Sequence, residues 1–100
     1  MLDINKMADD STLTLQLSGR LDTDTAPQLD DEIAELSDLV KTLVIDMDDL
    51  EYVASSGLRV LLMASKTMRT RGGVCKMVNV PDLILEVFEM TGLTDVFVVE

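Results

Sequence analysis

The sequence predicts an α/β domain over residues 1–100, with a mostly parallel sheet of four to five strands, an antiparallel hairpin at its N-terminal edge and about three helices. A length of 100 residues suits a single hydrophobic core. Apolar residues first alternate with a period of two and then occur in short runs separated by segments of helical periodicity. Because strands and helices alternate after the hairpin, we expect right-handed crossovers and parallel pairing.

The first two strands are predicted from alternation and a turn. Leu13, Leu15 and Leu17 alternate with polar residues over 12–17, which is typical of a strand with one face in water. Residues 2–7 are expected to pair with this strand across the turn at 8–11.

The first helix is predicted to begin near residues 23–25, which are N-cap residue types, with Pro27 in the first turn. Its buried stripe follows a helical spacing and is made of Leu29, Ile33, Leu36 and Val40. Residues 42–45 then form a short β-favouring run that predicts a central strand. The acidic segment 46–51 is expected to be a polar turn that closes this strand.

The second half of the chain continues the alternation. A helix is predicted from Ser55-Ser56-Gly57 to the glycines at 72–73, with one serine as its N-cap. Its predicted core positions are Leu58, Leu61, Leu62 and Met68. Residues 74–78 predict a buried strand, 81–90 a helix stopped by Gly92, and 96–99 a last strand. The stripe of that last helix is Ile84, Val87, Phe88 and Thr91.

The charge balance limits the classes of partner. Eight Lys and Arg stand against nineteen Asp and Glu, a formal charge of −11, which repels nucleic acid and anionic lipid surfaces. The acids cluster at 22–32 and 46–51, and most of the bases lie in one later stretch, so the surface is expected to be electrically polarised. With one cysteine and no recognisable signal peptide, we expect a cytoplasmic protein that contacts no membrane.

The residue types argue against catalysis, and no cofactor is predicted. The chain has no histidine, which removes Ser-His-Asp and Cys-His mechanisms and His-bearing zinc sites. Cys75 lies in an apolar strand pattern and is interpreted as a core thiol. An enzymatic alternative takes Asp46 or Asp48 as a magnesium-dependent phosphoacceptor. It lacks the paired acids of a first strand that such chemistry needs.

Ser55 and Ser56 mark the position with the clearest regulatory chemistry. A helix start carries about half a positive charge and free N–H groups, so a phosphate ester can be held there. Phosphorylation would add about −1.5 to −2 charges at one point of the surface. From the residues alone a plain serine N-cap, which contributes about 1 kcal/mol to helix stability, is the simpler interpretation.

The face of this helix opposite its predicted core has a distinctive composition. Arg59, Met63, Lys66 and Thr70 recur at helical spacing, so Met63 is expected to be exposed. An adaptable apolar side chain among positive groups suits a protein-binding surface. An isolated surface methionine without a role is the alternative interpretation.

Several segments in this order resemble the STAS family, and within it the bacterial anti-sigma factor antagonists. Residues 19–26 resemble the family's Gly-x-Leu-Asp segment, and 44–50 resemble its central strand and acidic turn. Residues 54–58, Ala-Ser-Ser-Gly-Leu, are similar to its Asp-Ser-Ser/Thr-Gly-Leu switch. Gly72-Gly73, Asn79-Val80 and the segment 88–93 fit its closing strand-helix-strand portion.

The resemblance implies a partner-switching protein without enzymatic activity. The unphosphorylated domain would bind an anti-sigma factor that is also a serine kinase, and a phosphatase would reverse the phosphorylation. The resemblance assigns the phosphoacceptor to Ser55, with Ser56 as the lesser candidate. With the stripe of the second helix, it predicts partner contacts from Asp22, Thr25, Ser56, Gly57, Arg59 and Met63.

Two departures from the family pattern leave alternatives open. Ala54 stands where the antagonists usually have Asp, which favours a second hypothesis, a non-phosphorylated scaffold subunit of a larger signalling assembly. The sequence ends at Glu100, where family members commonly carry one more helix. An exposed edge or face would follow, and a homo-oligomer is one way to cover it.

Overall fold

Five strands form one mixed sheet in the order β1-β2-β3-β4-β5 in the computed structural model, which describes all residues from Met1 to Glu100. The strands are β1 (Leu2–Asp9), β2 (Thr12–Leu21), β3 (Thr42–Val53), β4 (Val74–Val78) and β5 (Val98–Val99). The helices are α1 (Ala26–Ala34), α2 (Ser55–Thr70) and α3 (Asp82–Met90). β1 pairs antiparallel with β2 and all other pairs are parallel, as predicted.

The strand register gathers the core on one face of the sheet. Ile45 lies between Leu15 of β2 and Met77 of β4, and all three side chains are fully buried. The residues between them along the strands, such as Val44 and Lys76, are only half-buried. Because side chains alternate along a strand, one face carries the core and the other stays partly open.

The acidic segment 46–51 continues β3 and is not the predicted polar turn. Met47 and Leu50 are buried within it, and its pairing with β2 extends to Val53. Shifts in the register of β2 against β3 mark a bulge, which leaves Asp48 and Asp49 exposed. The acidic residues therefore mark an irregularity within a long strand instead of its end.

The helix α1 is shorter than its apolar stripe predicts. It ends at Ala34, so Leu36 and Val40 lie beyond it, although both pack against the core as expected. The Ser37 hydroxyl accepts a hydrogen bond from the Leu39 N–H at 3.1 Å. Such local side-chain bonds favour a turn over a continued helix.

The helix α2 spans 16 residues and ends where the glycine pair predicts. Gly72 adopts a left-handed φ of 78°, and the Gly73 N–H donates to the Met68 carbonyl at 2.8 Å. The face of α2 that is buried differs slightly from the predicted one. Val60 and Ala64 are buried, whereas the predicted core residues Leu58 and Leu62 are only half-buried. No helix of the structure has both the length and the apolar character of a membrane span.

The C-terminal segment forms less strand than predicted. A 3₁₀ turn occupies Leu93–Asp95, and β5 contains only Val98–Val99 instead of residues 96–99. The Phe97 ring packs edge-on against Phe88 of α3, with 5.1 Å between the ring centroids. The N–H groups of Val96 and Phe97 both donate to the Leu93 carbonyl, at 3.0 and 2.8 Å, so these residues belong to the turn and pairing begins at residue 98. In α3 itself Ile84 and Phe88 are buried, Val87 is half-buried and Thr91 is exposed beyond the helix end.

Candidate functional site at the start of helix α2

The end of the long strand β3 fixes the position at which α2 begins. Val53 is buried, and the Ala54 N–H donates a hydrogen bond to the Leu21 carbonyl at the end of β2, at 2.9 Å. Ala54 is extended and is the N-cap residue, so Ser55 is the first residue in helical conformation. The start of α2 is therefore attached directly to the neighbouring strand.

Gly57 allows α2 to approach β2 closely. A Cβ atom at this position would lie 2.6 Å from Cγ of Leu21 and 3.0 Å from the Leu21 carbonyl oxygen. Leu21 is fully buried and cannot withdraw. The glycine of the Ser-Ser-Gly segment is thus required by packing, independently of any conformational freedom.

Ser55 presents an exposed hydroxyl among free backbone donors. Its side chain forms no hydrogen bond, and neither serine caps the helix, so the predicted serine N-cap is wrong. The first N–H group of the helix that forms a hydrogen bond within the chain is that of Leu58, which donates to the Ala54 carbonyl at 3.0 Å. The N–H groups of Ser55, Ser56 and Gly57 have no acceptor within the chain. Such a helix start favours a negatively charged group.

Ser56 differs from its neighbour because its hydroxyl is occupied. Its Oγ donates to Oγ1 of Thr23 at 3.2 Å, and the residue is half-buried. This bond joins α2 to the loop between β2 and α1. Thr23 was missed in the sequence analysis, since only the fold brings two residues 33 positions apart into contact.

Asp22 and Thr25 hold that loop in shape. Oδ1 of Asp22 accepts hydrogen bonds from the N–H groups of Asp24 and Thr25, each at 3.1 Å. The Thr25 hydroxyl accepts from the Asp22 N–H at 2.9 Å and can donate to the Arg20 carbonyl at 2.8 Å or to the carboxylate at 3.1 Å. Both polar side chains are therefore committed to the loop itself.

The loop contacts also set the protonation of Asp22. Partial desolvation raises the pKa of this carboxyl, but the hydrogen bonds from Thr25 and Asp24 outweigh it, so the pKa lies below its usual value. The carboxylate remains charged at neutral pH and keeps its acceptor role in the loop.

Arg20 links the loop to the end of β3. Its guanidinium stacks over the ring of Tyr52, 4.2 Å from the ring centroid, and its Nε lies 3.7 Å from Oδ2 of Asp22. Neither Arg20 nor Tyr52 was predicted as a site residue. An aromatic residue across a strand pair from an arginine gives no signal in the sequence unless the register is known.

The predicted stripe on α2 lies on the surface. Arg59, Met63, Lys66 and Thr70 are all exposed, with 49% of Met63 accessible to solvent. The ion pairs of the chain involve Lys6, Arg20 and Lys76, so Arg59 and Lys66 have no acidic partner within the chain. Met63 lies two turns beyond Ser55, about 12 Å along the helix axis. The structure thus brings Asp22, Thr25, Ser56, Gly57 and Arg59 to the start of α2, whereas Met63 lies farther along the same helix.

The other acidic candidate, Asp46, is involved in local structure. Its Oδ1 accepts from the Asp48 N–H and from Nδ2 of Asn79, both at 3.1 Å. No group of three or more acidic or cysteine side chains is arranged to hold a metal ion. The Asp46 carboxylate is thus bonded to the following part of β3 and to the residue just after β4.

The chain is similar to a known protein family over nearly its whole length. A family model described as "Mlab, STAS domain" matches residues 4–100. The chain belongs to the STAS family. The two segments whose order resembles the family, residues 19–26 and 54–58, are in contact here through Leu21 and Thr23.

Curated and solved relatives carry related descriptions. The chain is 33% identical to a putative anti-sigma factor antagonist, BtrV, of Bordetella bronchiseptica, over 88% of this chain and 77% of the relative. A solved anti-sigma factor antagonist from Mycobacterium paratuberculosis is 26% identical, with a TM-score of 0.86 over 99% of this chain and 85% of that chain. The phosphorylated form of Bacillus SpoIIAA shares the STAS fold at 20% identity, with a TM-score of 0.77 over 100% of this chain and 91% of that chain.

Proposed function

We propose that this STAS protein is an anti-sigma factor antagonist that binds an anti-sigma factor with serine kinase activity. Phosphorylation of Ser55 ends the binding, and a phosphatase restores it. In this proposal the protein acts by binding, without catalytic activity of its own, and works in the cytoplasm, where a sigma factor and its regulators act. Relatives described as anti-sigma factor antagonists support the class of partner.

The observation that carries the proposal is the setting of the Ser55 hydroxyl. It is exposed and unbonded at the first residue of α2, next to three N–H groups without acceptors. A kinase can reach this oxygen without opening the fold. SpoIIAA, which has a similar fold, has been solved in a phosphorylated form, and this supports the proposal that a domain of this fold carries a phosphate.

Ser55 is a better acceptor than Ser56. Ser56 is half-buried and its hydroxyl is bonded to Thr23, so its modification would break the contact between α2 and the β2–α1 loop. Arg59 lies one turn beyond Ser55, is exposed and lacks an acidic partner. Its guanidinium can partly balance a phosphate on Ser55.

The partner surface is proposed to extend from Ser55 along α2. Met63 offers an adaptable apolar contact, and Arg59 and Lys66 offer positive charge beside it. Asp22 and Thr25 contribute indirectly, because their polar groups shape the loop that supports Ser56. Gly57 contributes by setting the position of the helix start.

The assignment of the switch is tested with the cognate kinase and ATP. Intact mass after the reaction should show one phosphate on the wild type and on Ser56→Ala, and none on Ser55→Ala. Ser56→Ala is the matched control, because it removes a neighbouring hydroxyl and leaves Ser55 in place. Absence of phosphate on the wild type, or equal labelling of Ser55→Ala, would refute the assignment.

The effect of charge is tested on binding. Ser55→Asp should weaken the complex with the anti-sigma factor by about 1–3 kcal/mol, because an added charge at an interface costs that much when it lacks a counterpart. Ser55→Asn, which introduces a neutral side chain of the same size as aspartate, should weaken the complex less. Calorimetric titration measures both.

Ala54 favours a second candidate function. This N-cap residue provides no carboxylate beside Ser55 that could help a kinase to orient the hydroxyl. The chain would then be a non-phosphorylated scaffold subunit that holds a larger assembly, or copies of itself, together. Complexes that are indifferent to phosphatase and to Ser55→Asp would favour the scaffold over the switch.

A further inference from the structure

A second surface, distinct from the stripe on α2, lies between α3 and the end of β3. It is an open groove of about 300 Å³, and six of its eight lining residues are hydrophobic. Leu83 is 72% exposed, Met90 is 84% exposed and Tyr52 is 42% exposed. Large apolar side chains this exposed on one surface indicate a binding site more often than chance placement.

The groove arises because α3 carries two apolar stripes. Ile84 and Phe88 face the core. Leu83, Val87 and Met90 recur four and three residues apart, so they form a neighbouring row along the helix. The row spans two helical turns, about 10 Å. No other segment of the chain covers Leu83 or Met90.

Negative charge borders the groove. Glu51 and Glu86 line it, and neither glutamate takes part in an ion pair. The cation nearest to its lining is the Arg20 guanidinium over the Tyr52 ring, and Arg20 is already paired with Asp22. With a formal charge of −11, a second copy of the chain would bring acid against acid at this surface. The charge therefore favours a positively charged occupant and disfavours self-association through the groove.

We propose that the groove binds a positively charged amphipathic helix of a partner protein. Its apolar side chains would pack on Leu83, Val87 and Met90, and its lysines or arginines would meet Glu51 and Glu86. An open apolar surface two turns long suits a helix, which presents side chains at the same spacing. This interaction does not depend on phosphorylation of Ser55, so it extends the binding repertoire beyond the proposed switch.

The test uses model peptides and the whole chain. A Leu/Lys amphipathic peptide of about four helical turns is titrated into the ¹⁵N-labelled protein, beside a Leu/Glu peptide of the same pattern and a scrambled Leu/Lys peptide. We expect amide shift changes concentrated at residues 51–53 and 83–90 with the Leu/Lys peptide only. Leu83→Ser should raise its Kd about tenfold, since it removes an exposed leucine from the contact.

Matched variants separate the groove from general attraction to an acidic protein. Glu86→Lys should weaken binding about two- to fivefold, whereas Glu35→Lys, with the same charge change at an exposed position just after α1, should not. Leu39→Ser controls for Leu83→Ser, because Leu39 is 79% exposed and outside the groove. Both leucines are exposed, so these variants should fold, as circular dichroism would verify.

Three results would overturn the proposal. Shift changes could spread over the acidic surface, or Leu83→Ser could bind as well as Leu39→Ser. Sedimentation velocity could instead show a dimer of the free chain that Leu83→Ser dissociates, which would assign the groove to a second copy. None of these experiments involves the kinase, so their failure is separate from failure of the Ser55 switch.

Discussion

Replacing Gly57 with alanine tests the packing that positions the candidate switch. The new Cβ would lie 2.6 Å from Cγ of Leu21 and 3.0 Å from its carbonyl oxygen, well inside contact distance. Overpacking of this kind costs about 1–3 kcal/mol. Alanine recovers up to about 1 kcal/mol of helix propensity over glycine. Because one of the two close neighbours is a backbone oxygen and the other is a branch-point carbon, the upper part of this range, about 2–3 kcal/mol, applies, and we expect a net destabilisation of about 1–2 kcal/mol.

Urea unfolding followed by circular dichroism measures this loss. With a slope of about 2 kcal/mol per molar for a small domain, the midpoint should fall by about 0.5–1 M at an unchanged slope. A midpoint equal to or above that of the wild type would refute the close approach of α2 to β2.

A double-mutant cycle isolates the contact itself. Leu21→Ala alone should cost about 2–5 kcal/mol, because it empties a fully buried site. Combined with Gly57→Ala it should cost less than the sum, since the smaller side chain makes room for the methyl group. Additive effects would mean that the two residues do not meet.

Two further predictions concern ionisable groups. Because hydrogen bonds from Thr25 and Asp24 lower the pKa of Asp22 in the folded state, its carboxylate stabilises the fold above its unfolded pKa, and this contribution is lost as the pH falls through the folded pKa. Asp22→Asn should thus be less stable than wild type at pH 7, with a difference that shrinks below about pH 4 in urea unfolding; a difference independent of pH would contradict this. Burial raises the pKa of Cys75 to about 11 and outweighs the opposite effect of the Ser65 hydroxyl, so the thiol stays protonated at neutral pH. Ellman's reagent should label it slowly at pH 8 and rapidly in urea, and prompt labelling of the folded protein would show that the thiol is accessible.

Local patterns were sufficient to predict the order of the elements. Each of these patterns involves residues that are close together in the sequence. Examples are the alternation in β2, the helical stripe of Leu29 and Ile33, and the glycines that end α2. These features depend on local backbone geometry and on which side chains are buried. Both can be predicted from the residue pattern of a single segment. The exposure of Met63 was predicted for the same reason.

Features that depend on pairing between distant segments were not predictable in this way. The acids at 46–51 indicate a turn, but pairing with β2 keeps the chain extended through a bulge to Val53. The role of Ser56 depends on Thr23, and the need for Gly57 depends on Leu21. The groove on α3 has no separate signal in the sequence, because its apolar row is adjacent to the core stripe of the same helix and periodicity alone does not separate them.

The contacts that fix α2 explain how a switch at Ser55 could work without refolding. The start of the helix is held by the Ala54 N–H on Leu21, by the packing of Gly57 on Leu21 and by the Ser56–Thr23 bond. None of these uses the Ser55 hydroxyl. A phosphate there would leave each contact intact and change only the surface charge.

The consequence for a partner is a change in electrostatics at constant shape. About half a positive charge at the helix start, together with Arg59, would hold the phosphate. The same phosphate would neutralise the positive end of α2. A partner bound through Met63 and Arg59 would then lose its charge match while its apolar contact remained, so binding would weaken while the free energy of unfolding changed little.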